Sequence, residues 1–557
     1  MGRQHGALLR AAGGADELLS YYPEMPERLI LPGGRAGELA RPVARRVKDV
    51  VLGLLENDRP ADLRARTEAF LRGLDRPTAL SRSFAVMDLF QNVVGTAGRL
   101  GIGPFAKAAR AVQAAAVPAC SSAIVWGRAA KGGALRHARN FDFPGIGVWD
   151  AAPALILCAP DRGMRYGFVT TRGVDAAVVT VFNEAGLVIT THTRFHRDVA
   201  WRGMAIVDLM HELARRAETI RGALAIARER RVVSTWGLAV SSWREQSAAV
   251  VEVNAGRVEL VEPPAGADSL ICCNRYRHPA MLPGQVAASE AWRLQSDQRE
   301  RRLRTLVDAA AAKGGADAIA LARMLADRRH PDDPDVVRHT GGIVAQSMTV
   351  HSVVVEPEAR RLSLGVGPAP VCESRWLTVG WSWDGPAGAW DVVEGGTIPG
   401  FTIAEMGAGI GRSLAADAVA EAQHIDQTTH DTAAMAAALE RAALAAPRDP
   451  SIRLALLWTQ MRRGDLARAL EHARTGLELE RVPYPRGQLL LWGARAAEDA
   501  GDAAQAAAWR RDLGALRGEG VAELQEAGRA DGERRARWWK ARAPRRPVAN
   551  LFMMDAE

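Results

Sequence analysis

The feature that most constrains the fold is a block of short, strand-like runs in residues 118–370 of the 557-residue chain. Runs such as SSAIVWG, YGFVTT, GLVITTHT and TVHSVVVE are rich in Val, Ile, Thr and Trp, and Gly, Pro, Asn or Asp bound them. This pattern is typical of β-strands. Several runs are apolar throughout, so we expect strands covered on both faces. Blocks of helical sequence interrupt them, which favours a layered α+β domain.

Helical sequence flanks this block on both sides. Residues 1–117 are predicted to form a helical, propeptide-like region, because GELARPVARRVKDVVLGLLEN carries apolar residues at helical spacing. Residues 371–430 are assigned to a connecting segment, and residues 523–557 to a basic tail. Residues 431–522 are Ala-rich and contain two similar helix–turn–helix units, whose Gly-Asp turns lie about 37 residues apart. That spacing is near the period of tetratricopeptide repeats, with a plain helical bundle as the alternative.

Composition argues against several classes of protein. The chain is 48% hydrophobic and 24% charged, as in ordinary globular proteins. Its net charge of +8 comes with acidic residues mixed in throughout, so we predict no nucleic-acid partner. Five scattered cysteines are no disulfide framework, and without a C-x-x-C pair, a His cluster or a Gly-rich phosphate loop we expect no metal and no cofactor. No run of about 18 apolar residues predicts a membrane span, and no signal-peptide pattern is present, which favours a cytoplasmic protein.

One cysteine, Cys120, lies at the start of a strand-like run, after the turn-prone VPA. If the Ala119–Cys120 bond is cut, Cys120 becomes a new N-terminus, and its α-amino group has an ordinary pKa of about 7.7–8.0. Such a group can act as the base that activates the thiol. A glycine-containing turn and RHARNFDF complete a predicted hairpin that returns Arg139 and Asp142 towards Cys120. Arg139 would favour the thiolate, and Asp142 would accept a hydrogen bond from the amine. A buried structural cysteine beside a surface Arg–Asp pair is the alternative.

The order Cys-Ser-Ser, hairpin, Arg-Asn-x-Asp resembles the N-terminal nucleophile (Ntn) hydrolases of the choloylglycine hydrolase and acid ceramidase type. Their relatives include the acid amidase for N-acylethanolamines and the isopenicillin-N acyltransferase group. The resemblance covers residues 120–370 and implies an αββα sandwich, a proenzyme cut just before the cysteine, and Cys120 as the nucleophile. Two departures are Ala119, where the family often has glycine, and the length of the 119 residues up to the cleavage point.

Three further stretches extend the resemblance. VVTVFNEAGLVIT is similar to the family's Gly-x-Asn-Glu-x-Gly-Leu segment and implies that Asn183 contributes to an oxyanion hole. ICCNRYRHP implies that Asn274 is a second polar residue of the site, and SDQRERRL resembles a Ser-x-x-Arg helix in which Arg299 supports the site. His137 and His192 lie near these motifs and are predicted to be structural histidines.

Together these residues predict a cysteine-dependent hydrolase or acyltransferase that acts on a non-peptide N-acyl amide. The thiolate attacks the amide carbonyl, amide groups bind the oxyanion, and water or a second amine takes the acyl group from the thioester. The predicted partners are a small N-acyl amine or acyl donor and a protein bound by the repeat-like helices. Two alternatives remain: an inactive scaffold that binds a partner through its C-terminal helices, and a papain-like or transglutaminase-like enzyme. The last needs a downstream His base, for which no histidine has a matching context.

Overall fold

The structure is a computed structural model. It describes residues 1–12, 19, 21–22, 24–25, 35–56, 58–78, 86–100, 119–286, 289–383, 401–407, 410–537, 545–547, 549–550 and 555–556. The predicted helical region 1–117, the connecting segment 371–430 and the basic tail 523–557 each lie partly outside the described residues.

The described elements alternate between blocks of helices and blocks of strands. The strands are β1 (Ala119–Gly127), β2 (Gly133–Asp142), β3 (Pro153–Cys158), β4 (Tyr166–Thr171), β5 (Thr180–Asn183), β6 (Leu187–Thr193), β7 (Trp236–Ser242), β8 (Ser247–Val253), β9 (Val258–Val261), β10 (Ser269–Cys272), β11 (Arg329–His330), β12 (Asp333–Val337), β13 (Thr349–Glu356), β14 (Arg361–Val366), β15 (Arg375–Trp381), β16 (Phe401–Glu405), β17 (Ala549–Asn550) and β18 (Asp555–Ala556). The helices are α1 (Gly2–Ala12), α2 (Arg35–Glu56), α3 (Ala61–Gly73), α4 (Val86–Leu100), α5 (Ile206–Arg216), α6 (Ile220–Glu229), α7 (Glu290–Ala311), α8 (Ala318–Leu325), α9 (Leu414–Thr428), α10 (Thr432–Ala445), α11 (Pro450–Arg463), α12 (Leu466–Leu479), α13 (Pro483–Asp499), α14 (Ala503–Ala515) and α15 (Val521–Arg537).

Two antiparallel sheets of seven strands form the centre of the molecule. The first sheet has the order β10-β1-β2-β13-β14-β15-β16, and the second has β3 to β9 in sequence order. Polar side chains join the facing surfaces: Ser122 lies 3.0 Å from His192, and His137 lies 3.0 Å from Ser241. Because side chains alternate along a strand, the residues on the other side of β1 face away from the second sheet.

Helices cover the outer face of each sheet. Ala123 and Val125 of β1 pack with Leu303 of α7 and Leu321 of α8 in one buried cluster. Helices α5 and α6 pack against strands of the second sheet. The layers are therefore helix, sheet, sheet, helix, and the predicted αββα sandwich with flanking helices is confirmed.

The first sheet continues past residue 370, into the segment predicted to be a connection. Strand β15 pairs with β14 and with β16. Trp376 and Trp381 of β15 are 1% and 6% exposed, so these tryptophans are core residues of the sheet. Helix α9 then begins and packs against α10.

The C-terminal helices form successive antiparallel pairs. Helix α11 packs against α12, and α13 packs against α14. Gly464 and Gly501 end the first helix of each pair with φ angles of 80° and 85°, a backbone conformation that glycine adopts without strain. Asp465 and Asp502 cap the next helices. The likeness to tetratricopeptide repeats stays a prediction. No helix within the described part of the chain is both long enough and apolar enough to cross a bilayer.

Buried ion pairs attach the N-terminal helices to the sandwich. Arg66 of α3 donates hydrogen bonds of 2.7 and 2.9 Å to the Asp175 carboxylate and one of 2.6 Å to the Tyr166 hydroxyl. His5 of α1 lies 3.3 Å from the same carboxylate. Burial alone would raise the pKa of Asp175, but Arg66 and His5 outweigh it and hold that pKa well below its usual value. The carboxylate therefore remains ionised beside Arg66, and this contribution to stability is lost only when the pH falls below the ordinary pKa of about 4.

Replacing Asp175 with Asn should loosen α1 and α3, because it leaves the Arg66 guanidinium buried without its counter-charge. Breaking a buried pair in this way costs about 3 kcal/mol or more, measured as a lower opening free energy in hydrogen exchange of α1 and α3. The control is Glu262→Gln, which removes an exposed ion pair with Arg221. The Glu262 side chain is 58% exposed and the Arg221 side chain 66%. That change should cost less than about 1 kcal/mol. Equal effects of the two substitutions would contradict the conclusion that the Arg66–Asp175 pair attaches α1 and α3 to the sandwich.

Candidate active site

Cys120 lies on β1, on the face that meets the second sheet, and its side chain is 1% exposed. Strand β1 pairs with β2 in the register Cys120↔Phe141 and Ala119↔Asp142. The hairpin predicted from the sequence therefore forms, and it brings the end of β2 beside the start of β1. Glycines 132 and 133, with φ angles of 73° and 75°, make its turn.

Arg139 contacts the sulfur directly. Its Nη2 atom donates to Cys120 Sγ at 3.2 Å and to the Thr191 carbonyl at 2.7 Å, while Nη1 donates to the Val179 carbonyl. The guanidinium also lies over the Phe141 ring, 4.9 Å from its centroid. Burial raises the pKa of the Cys120 thiol, and the Arg139 charge offsets only part of that rise. In the continuous chain, the sulfur is therefore protonated at neutral pH.

Asp142 is fully buried beside the Ala119–Cys120 bond. Its Oδ1 atom accepts a 2.6 Å hydrogen bond from the Thr349 hydroxyl on β13, whereas Oδ2 has no hydrogen-bond partner among the described residues. Burial raises the pKa of this carboxyl to about 6, although Arg299, Thr349 and Arg139 each lower it. At pH 7 the group is mostly ionised, with one free acceptor oxygen.

Asn274 and Arg299 hold the backbone of Cys120. Asn274 Oδ1 accepts from the Cys120 backbone nitrogen at 3.0 Å and from Arg299 Nη2 at 2.8 Å. Arg299 Nη1 donates to the Cys120 carbonyl at 2.6 Å and to the Ser121 hydroxyl at 2.8 Å. The Ser296 hydroxyl, one helical turn before Arg299, accepts from the Asn274 backbone nitrogen at 3.0 Å. The Ser-x-x-Arg spacing thus places both residues on the face of α7 that meets Asn274.

Asn183, which the resemblance assigns to an oxyanion hole, makes its side-chain hydrogen bonds to residues other than those around Cys120. Its Nδ2 atom donates to the carbonyls of Ala214 and Ala217 at the end of α5, and its Oδ1 atom accepts from the Leu187 nitrogen. Asn183 ends β5 and begins a tight turn. Both amide hydrogens and the amide oxygen are therefore used to fix that turn and to satisfy helix carbonyls.

The two histidines near the motifs take the structural part predicted for them. His137 lies 3.0 Å from the Ser241 hydroxyl and 3.1 Å from the Thr190 hydroxyl, and His192 lies 3.0 Å from the Ser122 hydroxyl. Burial lowers the pKa of His137 to about 3 and that of His192 well below its usual value. Both rings are therefore neutral members of a hydrogen-bond network between the sheets.

Several aromatic residues lie in the buried core that also contains the thiol. Tyr22, Phe143 and Trp149 belong to the same buried cluster as Cys120, and Tyr22 stacks on Phe143 with centroids 5.7 Å apart. The Tyr22 hydroxyl donates to the Pro144 carbonyl at 3.1 Å. The thiol of the continuous chain is therefore enclosed, with Cys120 only 1% exposed.

Sequence reasoning missed two hydroxyl groups of the site, those of Thr349 and Ser296. Thr349 opens the strand-like run TVHSVVVE, but its pairing with Asp142 joins residues 207 positions apart. Ser296 lies in the quoted Ser-x-x-Arg motif, so its helical spacing from Arg299 was a usable signal. The described ranges contain no group of three or more His, Cys, Asp or Glu side chains placed to bind a metal ion.

Comparison with known proteins finds a distant likeness to a solved structure. No family model matches the chain, and no curated protein matches it. Among solved structures, the chain is similar to a Caenorhabditis elegans N-acylethanolamine-hydrolyzing acid amidase ortholog, with 15% identity and a TM-score of 0.31. That match covers 43% of this chain and 93% of the other.

The raised pKa of Asp142 predicts a pH-dependent stability of the site. Between its ordinary pKa of about 4 and its folded pKa of about 6, the native state binds more protons than the unfolded state, so stability falls as pH rises. The fall amounts to about 3 kcal/mol and should be absent in Asp142→Asn. Hydrogen exchange of β1 and β2 at pH 4 and pH 7 measures this fall in stability. The proteins compared, with and without Asp142→Asn, both carry Cys120→Ala, so that neither chain can be cut before residue 120.

Thr349→Val is the matched control for this titration. It removes a hydrogen bond that lowers the pKa of Asp142, so the fall in stability should extend to higher pH. An identical pH dependence in all three proteins would show that Asp142 does not titrate as described.

Proposed function

We propose that this chain is a cysteine-dependent N-terminal nucleophile enzyme that cleaves or transfers the acyl group of an N-acyl amide through a Cys120 thioester. Two contacts of Cys120 carry the proposal. Its Sγ atom lies 3.2 Å from Arg139 Nη2, and its backbone nitrogen donates a hydrogen bond to Asn274 Oδ1. A structural cysteine needs neither contact. Thiol enzymes use both a nearby positive charge and a positioned base.

In the proposal, the enzyme first cuts its own chain. Cys120 Sγ attacks the Ala119 carbonyl carbon, the thiol proton passes to the Cys120 nitrogen, and the C–N bond breaks to leave a thioester. Water hydrolyses the thioester and releases the Ala119 carboxylate, a free thiol and a free α-amino group. Asp142 supports this step because its unpartnered Oδ2 atom can hold a proton beside the bond.

The new α-amino group then serves as the base for turnover. It inherits the hydrogen bond to Asn274 Oδ1, and its pKa range of about 7.7–8.0 suits proton transfer at neutral pH. The thiol proton moves to this amine as the S–C bond to the substrate carbonyl forms. The same proton passes to the leaving amine when the C–N bond breaks. Water or a second amine then attacks the thioester, which frees the sulfur and gives an acid or a new amide.

An oxyanion site without Asn183 needs other donors, and Asn274 supplies one. Its Nδ2 atom donates to the Thr193 carbonyl at 3.1 Å, and its second N–H has no acceptor among the described residues. We assign this second N–H to the oxyanion. Losing one such donor costs roughly 2.7–4 kcal/mol of transition-state stabilisation.

Cys120→Ala should abolish both chain cleavage and turnover, because it removes the only atom that attacks in either step. Intact-mass analysis should find two fragments of the wild type, the second beginning at Cys120, and one uncut chain of the variant. Cys273→Ala is the control: that thiol is also buried, 4.0 Å from Ser121, and the variant should be cut and active. Turnover is measured on a panel of N-acyl amines, with hydroxylamine present to trap the acyl-enzyme.

The same data decide against the proposal if the wild type stays uncut and turns over none of the amides. That result would favour the inactive scaffold, whose C-terminal helices bind a partner. Amide hydrolysis that survives in Cys120→Ala would exclude the thioester mechanism.

Asn274→Ala should lower the rate of turnover, whereas Asn183→Ala should lower only the stability of the fold. Asn274→Ala removes the acceptor of the α-amino group and the assigned oxyanion donor, so we expect kcat to fall about 10²–10³-fold. Asn183→Ala should lower the unfolding midpoint, because it leaves helix carbonyls without donors, while kcat per folded molecule stays within about threefold of the wild type. The reverse order of effects on kcat would restore Asn183 as the site residue.

A further inference from the structure

A second feature of the molecule lies apart from the thiol cluster: a cavity of about 510 Å³ between α4 and the segment that follows β6. Its size is in the range of small-molecule sites. The lining residues are Thr96, Arg99, Val199, Ala200, Trp201, Arg202 and Arg231. None of them belongs to the proposed catalytic machinery.

The walls of the cavity are fixed in place. Asn92 Nδ2 donates to the Ala200 carbonyl at 2.7 Å, and Arg99 Nη2 donates to the Val199 carbonyl at 3.0 Å. Gly95 lets the two segments approach closely, since a Cβ atom there would lie 2.4 Å from the His196 carbonyl oxygen. The backbone of this wall is therefore fixed before any ligand binds, so a ligand would have to order only side chains.

The lining carries three positive charges and no acidic side chain. Arg202 and Arg231 are exposed, and neither makes a side-chain hydrogen bond or ion pair within the described ranges. The Thr96 hydroxyl oxygen is buried and has no partner there. A guanidinium group can donate two hydrogen bonds at once to the oxygens of a carboxylate or a phosphate. These unpartnered donors therefore favour an anion.

The rest of the lining is apolar. Val199 and Ala200 are buried, and the Trp201 indole packs against Leu52 of α2 and against Val233. An indole held on one side by the protein offers a flat apolar surface to a ligand on the other. The cavity thus combines a cationic rim with an apolar wall.

We propose that this cavity binds a small organic anion, in which a carboxylate or a phosphate monoester is carried on an apolar body. Arg202 and Arg231 bind the anionic head, and Trp201 packs against the apolar part. The inference does not depend on the proposed function, because binding requires neither the thiol nor cleavage of the chain.

Calorimetric titration of the full chain with four probes tests the proposal. Hexyl phosphate and hexanoate should each bind saturably, inorganic phosphate should bind more weakly, and hexanol should not bind measurably. The relative affinities of the first two identify the preferred head group, phosphate or carboxylate.

A pair of double variants provides the matched comparison. In Arg202→Gln/Arg231→Gln, the affinity for hexyl phosphate should fall about tenfold for each guanidinium lost. Arg197→Gln/Arg230→Gln removes the same charge from exposed neighbours that do not line the cavity, and its affinity should stay within about twofold of the wild type. The proposal is overturned if neither organic anion binds the wild type, if hexanol binds as tightly as hexanoate, or if both double variants lose affinity equally.

Discussion

The arrangement of the site depends on one buried cation, the Arg139 guanidinium, which is fully shielded from solvent between the two sheets. It extends from β2 in the first sheet to the carbonyls of Val179 and Thr191 in the second. A buried charge without polar partners is very costly, so these contacts constrain how the sheets pack. The Cys120 sulfur is the remaining partner. The same guanidinium that joins the sheets therefore also determines where the thiol lies.

Positive charge alone does not make this thiol reactive. Arg139 and Arg299 both lower the pKa of Cys120, yet burial outweighs them and the net shift is upward. What the cluster provides is position: Asn274 and Arg299 hold the nitrogen and the carbonyl of Cys120 from the edge of the sheet. In the proposed mechanism, cleavage would convert that nitrogen from an amide to an amine. The reactivity of the thiol would then depend on the covalent state of the chain as well as on its fold.

The sequence contains enough information for the parts of the site that are local or follow a regular spacing. A glycine turn between two strand-like runs predicts the hairpin, and hence the meeting of Cys120 with Arg139 and Asp142. The part played by Asn183 is harder to predict, because a motif does not report which hydrogen bonds an asparagine makes at the end of a strand. The place of Thr349 is set by its hydrogen bond to Asp142, 207 positions away, and no local pattern reports such a contact.

Access to the sulfur follows from how the loop after β2 is attached. Asp150 lies in this loop, between β2 and β3. Its carboxylate accepts hydrogen bonds of 2.7 Å from the backbone nitrogens of Gly147 in the loop and Ala369 in the sandwich. Helix α9 adds His424, whose Nδ1 atom lies 2.8 Å from the Ile146 carbonyl. Towards the N-terminal region, the loop is held by the Tyr22 hydroxyl and by aromatic packing. In the proposed mechanism, cleavage before Cys120 would end the covalent link to the chain that carries Tyr22, which the Arg66–Asp175 ion pair still attaches to the sandwich, and would leave the covalent attachments of the loop intact. We therefore expect the site to open on the Tyr22 side, while the loop stays fixed to the sandwich and to α9.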